Sequence, residues 1–198
     1  MSGAGPGPNS LFPRRKHRAM MANKESDMAT ATVFVPVEEY LRSSYSPDAE
    51  YIRGQVEERN MGENDHSAWQ EAICAWFRAQ AVAAGIRVRP ELRVLVTADC
   101  YLVPDVTLLD RARPVEPIAT NPPVAVVEVL SPGDSLKGFM KKGVLYESMG
   151  IRSILVLAPD GPAYRYRAGS LEPIVERAFM LEGSQARFDL DEIAKLVD

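Results

Sequence analysis

One apolar run with a single acid inside it constrains the fold of this chain more than any other segment. The run Val124–Leu130 is interrupted only by Glu128 and is followed directly by Ser131 and Pro132. A continuous apolar stretch of this length is typical of a strand that is buried on both faces, in a sheet covered by helices. The run therefore predicts a central strand. It also places Glu128 where burial disfavours the charged form of a carboxyl group.

The rest of the chain predicts a mixed α/β fold with helices covering the sheet. Amphipathic helices are predicted over 67–84, ending at Gly85, and over 135–149, with Asp134 as N-cap and Gly150 as stop. The proline-rich segment 111–123 predicts a surface loop. The other predicted elements are a helix over 37–41, a hairpin over 51–58 turning at Arg53-Gly54, strands over 86–89, 92–96, 106–109 and 151–157, a hairpin of 164–167 with 173–179, and a tail helix over 190–196.

Composition and charge limit the number of domains, the binding partners and the cellular compartment that the sequence allows. The chain has 198 residues, of which 46% are hydrophobic, and this suits one domain over residues 32–198 after a polar leader, residues 1–31, predicted to be disordered. A net charge of −4 gives no global attraction to nucleic acid or membrane, so any DNA-binding surface must be local. Cys74 and Cys100 lack metal-binding spacing and are predicted to be buried thiols in a reducing compartment. Without a membrane span or a secretory pattern, we expect a cytoplasmic protein with no membrane partner.

A second acid, Asp105, follows Pro104 directly before the predicted strand 106–109. If this strand neighbours the one that holds Glu128, the two carboxylates can point at one place. Paired hard oxygen ligands suit Mg²⁺ or Mn²⁺ rather than zinc, and such a metal can cut phosphodiesters. Without metal the two carboxylates should repel, which would raise the pKa of the pair. Each acid also has structural explanations: a salt bridge or an edge strand for Glu128, and a turn for Asp105.

The lysines of the predicted helix 135–149 can be separated by geometry. At about 100° per residue, Lys142 flanks the inward face, whereas Lys137 and Lys141 point away from it and should be solvated. Only Lys142 is placed to reach the two acids. The positions that define the inward face are Leu136, Phe139, Met140 and Tyr146.

The order of these motifs along the chain resembles a known family. The matching positions are residues 50–59 and 65–67, Pro104-Asp105-Val106, the stretch Glu128-Val129-Leu130-Ser131-Pro132, Asp134-Ser135-Leu136, Lys142, Tyr146 and Gly150. Together they are similar to the Uma-type restriction endonucleases of the PD-(D/E)XK nuclease superfamily, over roughly residues 33–197. The resemblance implies a restriction-endonuclease-like core, in which helices flank a mixed β-sheet.

The resemblance also implies roles for individual residues. Asp105, Glu128 and the backbone carbonyl of Val129 would bind Mg²⁺ or Mn²⁺. The commonest form of the superfamily has a lysine two residues after the glutamate, where this chain has Leu130. The family resembled here is understood to supply that lysine from the following helix, which fits Lys142.

Three further residues match polar positions near the implied site. Glu58 would be a catalytic residue and a further metal ligand acting through water. Tyr146 would lie beside the site. For His66, a site role and a purely structural place at the start of a helix stay equally open.

The implied activity is that of an endodeoxyribonuclease that hydrolyses DNA by a metal-activated water. Double-strand cutting favours a homodimer, and local positive charges would hold the DNA backbone. The candidates for that contact are Arg87, Arg89 and Arg93, placed on one predicted hairpin, together with Lys137 and Lys141. Two alternatives stay open: an inactive nuclease-fold module that binds DNA or protein, and an α/β protein in which Glu128 pairs structurally with Lys142.

Overall fold

The computed structural model describes residues 34–45, 48–59, 63–159 and 161–197, and the predicted leader lies outside these ranges. The helices are α1 (Val37–Arg42), α2 (Asn64–Gln80), α3 (Leu136–Met149) and α4 (Leu190–Ala194). The strands are β1 (Ala49–Ile52), β2 (Gln55–Glu58), β3 (Ile86–Pro90), β4 (Val94–Thr97), β5 (Cys100–Leu102), β6 (Val106–Asp110), β7 (Ala125–Val129), β8 (Ser153–Leu157), β9 (Ala163–Arg167), β10 (Ser170–Pro173), β11 (Ala178–Met180) and β12 (Arg187–Asp189).

The strand predicted from the apolar run lies inside a six-stranded sheet of order β10-β9-β8-β7-β6-β3. All five residues of β7 are buried, as the continuous apolar pattern requires. Strand β7 pairs in parallel with β8 and antiparallel with β6, so the sheet is mixed. The mixed α/β fold and the neighbouring positions of β6 and β7 are therefore confirmed.

Helices cover both faces of this sheet. Helix α2 packs on one face, where Phe77 meets Val106 and Val127 in the larger core. Helix α3 packs on the other face, where Phe139 and Tyr146 meet Val126. A four-stranded sheet of order β2-β1-β5-β4 lies beside the larger one. Its hairpin turns at Arg53 (φ 51°) and Gly54 (φ 87°), as predicted, because glycine adopts positive φ without strain.

Several predicted boundaries are wrong. Ser135, not Asp134, is the N-cap of α3, because its Oγ accepts the N–H of Gly138 at 3.0 Å. The carboxylate of Asp134 instead accepts the N–H of Ser131 at 2.8 Å and so shapes the turn before the helix. Helix α2 begins three residues before the predicted start and ends at Gln80, four residues before the predicted end. Strand β5 was not predicted, since three residues carry too little pattern.

Two predicted strand pairings are also wrong. The segment 173–179 was expected to pair with 164–167, but β9 pairs with β10 through the tight turn at Ala168-Gly169, and β11 pairs with β12. The three arginines 87, 89 and 93 do not share a hairpin. Strand β3 pairs with β6 in the large sheet, whereas β4 pairs with β5 in the small one.

Three further predictions for these ranges agree with the structure: the two buried thiols, the loop 111–123 and the solvated lysines of α3. Cys74 and Cys100 are free and buried. Segment 111–123 contains no helix or strand. Lys137 and Lys141 are exposed, as the helical geometry indicated. Of the helices in the described ranges, none combines the length and apolarity that crossing a bilayer demands.

The contact between α3 and β9 gives a first testable prediction. A Cβ atom added at Gly143 would come within 2.5 Å of the ring of Tyr166, which is buried. We expect Gly143→Ala to lower the free energy of unfolding by about 1–3 kcal/mol through overpacking, measured by urea denaturation. Gly138→Ala on the same helix is the control, because its nearest neighbour is the Ser135 Oγ at 3.3 Å. A gain in stability in both variants would show that helix propensity, which favours alanine over glycine, outweighs this contact.

Candidate active site

Asp105 and Glu128 lie across from one another on neighbouring strands. Val106 pairs with Val127 in the antiparallel ladder, so the preceding residue, Asp105, faces Glu128. Opposed residues of an antiparallel pair project to the same face of a sheet, and both side chains line one cavity. Asp105 is 1% exposed and Glu128 is 6% exposed. The geometric condition for a shared metal site, two acids on one face, is therefore met.

The cavity that holds both acids has a volume of about 150 Å³. It lies where the β1–β2 hairpin, the start of α2, strand β7 and helix α3 meet, so segments far apart in sequence contribute to it. Tyr146 is fully buried and contacts Glu128. The lining residues are Glu50, Glu57, Glu58, Arg59, His66, Asp105, Glu128, Val129, Ser131, Asp134 and Lys142.

The Asp105 carboxylate is surrounded by hydrogen-bond donors. Its Oδ2 accepts the N–H of Val129 at 2.7 Å and lies 3.2 Å from Nε2 of His66, while its Oδ1 is paired with the guanidinium of Arg59. Burial would raise the pKa of Asp105, but the hydrogen bond from His66, the Arg59 charge and the Val129 N–H together lower it. The expectation that mutual repulsion raises the pKa of both acids is therefore wrong for Asp105.

Glu128 behaves in the opposite way. Burial is the main reason that its pKa rises to about 7; the charges of Asp105 and Glu50 add to the rise, and Lys142 opposes it. The hydroxyl of Tyr146 donates a hydrogen bond of 2.6 Å to Glu128 Oε1 and fixes the orientation of the carboxyl group. The two acids thus have different protonation behaviour within one cavity, because cations and donors are placed mainly around Asp105.

Lys142 reaches inward, as its position on α3 predicts. Its Nζ lies 2.9 Å from Oε1 of Glu50 and 3.7 Å from Oε1 of Glu128. Glu50 is 3% exposed and also accepts the N–H of Val103 at 3.1 Å, so it holds the lysine from the side of the small sheet. Lys142 therefore stands between two buried carboxylates, and its ammonium is fixed on the cavity wall.

Sequence reasoning gave no role to Glu50 or Arg59, although both belong to the site. Glu50 lies between Ala49 and Tyr51, which are buried, and an acid inside an apolar strand is the signal that identified Glu128. Strand β1 has only four residues, which made that signal weak. Arg59 directly follows β2 and carries no local signal at all, because its partner Asp105 is 46 residues away.

The remaining predicted residues are divided between site and surface. His66 lies in the first turn of α2 and contacts Asp105. The hydrogen bond to Asp105 is the main reason that its pKa is raised, so His66 supports a residue of the site. Glu58 is exposed at the cavity rim. Lys137, Arg87 and Arg89 do not line this cavity, and neither does Lys141.

A model of one family matches this chain. The family is described as "Uma2: Putative restriction endonuclease", and the match covers residues 37–174, more than two thirds of the sequence. The chain belongs to the Uma2 family. The resemblance inferred from the ordered motifs is therefore confirmed. Among curated proteins, none matches the chain.

One solved structure has the same fold as this Uma2 chain. A crystal structure of a protein from Anabaena variabilis, described as a putative nuclease belonging to DUF820, is similar with a TM-score of 0.70 and 21% identity, over 83% of this chain and 99% of that one. The restriction-endonuclease-like core is thus confirmed. A cryo-EM structure of a DrdV–DNA complex is also similar, with a TM-score of 0.41 and 17% identity, over 68% of this chain and 11% of that one.

The arginines proposed to contact DNA are used within the fold of this Uma2 chain. Arg87 donates to the carbonyl oxygens of Asp110 at 3.3 Å and Arg113 at 2.8 Å, and Arg89 donates to that of Val88 at 2.9 Å. Arg93 pairs with Asp48 and stacks over the ring of Tyr40. To contact a DNA phosphate, Arg87 or Arg89 would have to share the hydrogen bonds that it makes within the fold. Of the predicted DNA-contacting residues, Lys137 and Lys141 therefore remain the better candidates.

The donor set of the Uma2 site has the chemistry that Mg²⁺ or Mn²⁺ requires. Asp105, Glu128 and Glu50 supply hard carboxylate oxygens, and the Val129 carbonyl lies at the same strand end. In the described ranges, no three His, Cys, Asp or Glu side chains are grouped so that they could hold a metal ion. The cations Arg59 and Lys142 contact these acids instead. The donor types therefore suit such an ion, but the guanidinium of Arg59 occupies Oδ1 of Asp105, which an ion bound there would have to share or displace.

Proposed function

We propose that this Uma2 protein is a metal-dependent endonuclease that hydrolyses phosphodiester bonds in DNA with Mg²⁺ or Mn²⁺. One observation carries the proposal: two buried carboxylates, Asp105 and Glu128, face each other on neighbouring strands, with the ammonium of Lys142 beside Glu128. Family membership supports a nuclease in general. The choice of DNA, of the metal and of these residues is our inference.

The charges of the cavity favour a divalent ion and a phosphate. Glu50, Asp105 and Glu128 carry three negative charges when ionised, and Glu57, Glu58 and Asp134 add three more, against the positive charges of Arg59, Lys142 and, when it is protonated, His66. This imbalance is part of the reason that the pKa of Glu128 is raised. A divalent ion would offset two of these negative charges and would supply the local positive charge to which an oxygen of a phosphodiester could bind.

Each residue of the site then has a definite task. An ion held by Asp105, Glu128 and the Val129 carbonyl would supply Lewis acidity and an activated water. Lys142, fixed by Glu50, would stabilise the negative charge that develops on the phosphate. His66 and Tyr146 would keep Asp105 and Glu128 in their orientations.

The direct test is cleavage of supercoiled plasmid by the purified protein in Mg²⁺ or Mn²⁺, with and without EDTA. We expect nicked and linear products only with the divalent ion, and none from Asp105→Asn. DNA binding without cleavage by the wild type would favour the inactive binding module. No metal-induced rise in melting temperature and no cleavage would favour a structural pairing of Glu128 with Lys142. A homodimer, which double-strand cutting favours, would appear in the sedimentation coefficient.

Arg59 gives a second prediction, because it competes with the ion for Asp105. Its side chain is 14% exposed and also lies 3.5 Å from Glu91. We expect Arg59→Gln to strengthen Mn²⁺ binding about 10-fold, since the cation that competes for Oδ1 is lost. The same variant should be less stable without metal, because Asp105 loses a buried partner. Titration calorimetry with Mn²⁺ measures the first effect and urea denaturation the second.

The control for Arg59→Gln is Arg78→Gln, at an exposed position of α2. It removes the same charge from the protein without touching the cavity. Unchanged or weaker Mn²⁺ binding by Arg59→Gln would show that Arg59 does not compete with the metal.

A further inference from the structure

A second cavity adjoins the catalytic cavity, and the proposed reaction does not use it. It has a volume of about 460 Å³ and lies between the β1–β2 turn and the first part of α3. Glu128, Val129 and Lys142 line both cavities. Any group in the second cavity therefore lies next to the place where a phosphate would react.

The walls of the second cavity are mainly apolar. Its apolar lining includes Ile52, Leu130, Phe139, Val144 and Leu145. Val144 is 53% exposed, so part of this apolar lining is accessible from solvent. These apolar side chains do not bind a phosphate, but they suit the flat face of a nucleobase, which is buried favourably against apolar and aromatic side chains.

The charges of the residues that line this cavity favour single-stranded over double-stranded DNA. Three basic residues, Arg53, Lys141 and Lys142, are balanced by three acidic ones, Glu57, Glu128 and Asp134. A duplex needs a continuous positive surface along two phosphate backbones, and a neutral cavity does not provide it. Arg53 and Lys141, both exposed, can instead contact the phosphates that flank one bound nucleotide.

We infer that the second cavity binds the nucleobase of a nucleotide adjacent to the scissile phosphate, so that the enzyme acts on single-stranded or unpaired DNA. This inference rests on the proposed function, since it places the scissile phosphate at Asp105 and Glu128. In a paired duplex the base faces are stacked and cannot enter the cavity unless a nucleotide is turned out. Unpaired nucleotides enter without that cost.

The test measures binding separately from cleavage. Ca²⁺ replaces Mg²⁺, and fluorescence anisotropy gives the affinity for an oligothymidine strand, for an abasic strand of equal length and for a matched duplex. The wild type is expected to bind oligothymidine at least 10-fold more tightly than the other two. Val144→Glu should lose most of that preference, and Val144→Leu should keep it.

The control is Val175→Glu, which adds the same charge at a valine that is 87% exposed and lies outside this cavity. Equal affinity for the three ligands, binding to none of them, or the same loss in Val144→Glu and Val175→Glu would each overturn the inference. So would a change in sedimentation coefficient in Val144→Glu with DNA affinity unchanged, because a second copy of the chain would then occupy the cavity.

The outcomes also separate this inference from the proposed function. A preference for oligothymidine without any cleavage in Mg²⁺ or Mn²⁺ would support the base-binding cavity and refute the nuclease. Cleavage of duplex and single strands at equal rates, with no effect of Val144→Glu, would support the nuclease and refute the cavity.

Discussion

Lys142→Met is expected to lower the rate of DNA cleavage by a factor of about 10²–10³, the usual effect of removing one group that stabilises charge in a transition state. The ammonium is fixed by Glu50 at 2.9 Å and stands 3.7 Å from Glu128, so it is placed to act on the reacting phosphate. Single-turnover cleavage of plasmid in Mn²⁺ measures the effect. The affinity for Mn²⁺ should not fall, because the lysine is not a ligand.

The neighbouring lysine is the matched control for this variant. Lys141 is exposed, and Lys141→Met should cost little beyond weaker, more salt-sensitive DNA binding. Lys142→Met should also lower the stability of the metal-free protein by about 2 kcal/mol, since Glu50 and Glu128 lose a shared partner. A larger loss of cleavage in Lys141→Met than in Lys142→Met would contradict the position assigned to the ammonium.

The parts of the site that were predictable rest on local patterns. The run that became β7 identified both the central strand and its buried acid, because continuous apolar residues and a single carboxyl group are visible within seven positions. Lys142 followed from helical periodicity, which needs only the spacing to Phe139 and Tyr146. In both cases the information lies within one element.

The parts that were missed depend on contacts between distant segments. Arg59 and Glu50 join the site only after the hairpin folds against β6 and α3, and nothing in their immediate sequence indicates those partners. The error for the pKa of Asp105 has the same origin, since two of the donors that lower it, Arg59 and His66, come from outside the β6–β7 pair. The raised pKa that pair repulsion predicts is found only for Glu128, where burial is the main cause and the charge of Asp105 adds to it.

Glu128→Gln is expected to abolish both the metal-dependent cleavage and the stabilisation of the fold by Mn²⁺. Glutamine keeps the volume of the side chain and an acceptor for the hydroxyl of Tyr146, so the fold is preserved. Binding to the folded state stabilises the wild type by about 2.7 kcal/mol when the ion is present at 100 times its dissociation constant. Thermal unfolding with and without Mn²⁺ measures this gain, and Glu71→Gln, at an exposed position of α2, is the control.

Without metal, the same variant should be more stable than the wild type, and the size of the gain should depend on pH. The pKa of Glu128 rises from 4.5 to about 7 in the folded protein, so folding favours its protonated form. The stability that this protonation contributes is fully present below about pH 4.5 and is lost as the pH rises through 7. Glu128→Gln does not lose stability in this way. Its free energy of unfolding should therefore exceed that of the wild type only slightly at pH 4.5 and by on the order of 3 kcal/mol at pH 8. Urea denaturation at the two pH values measures this difference. An equal difference at both would mean that Glu128 is ionised at either pH, with its charge compensated by Lys142.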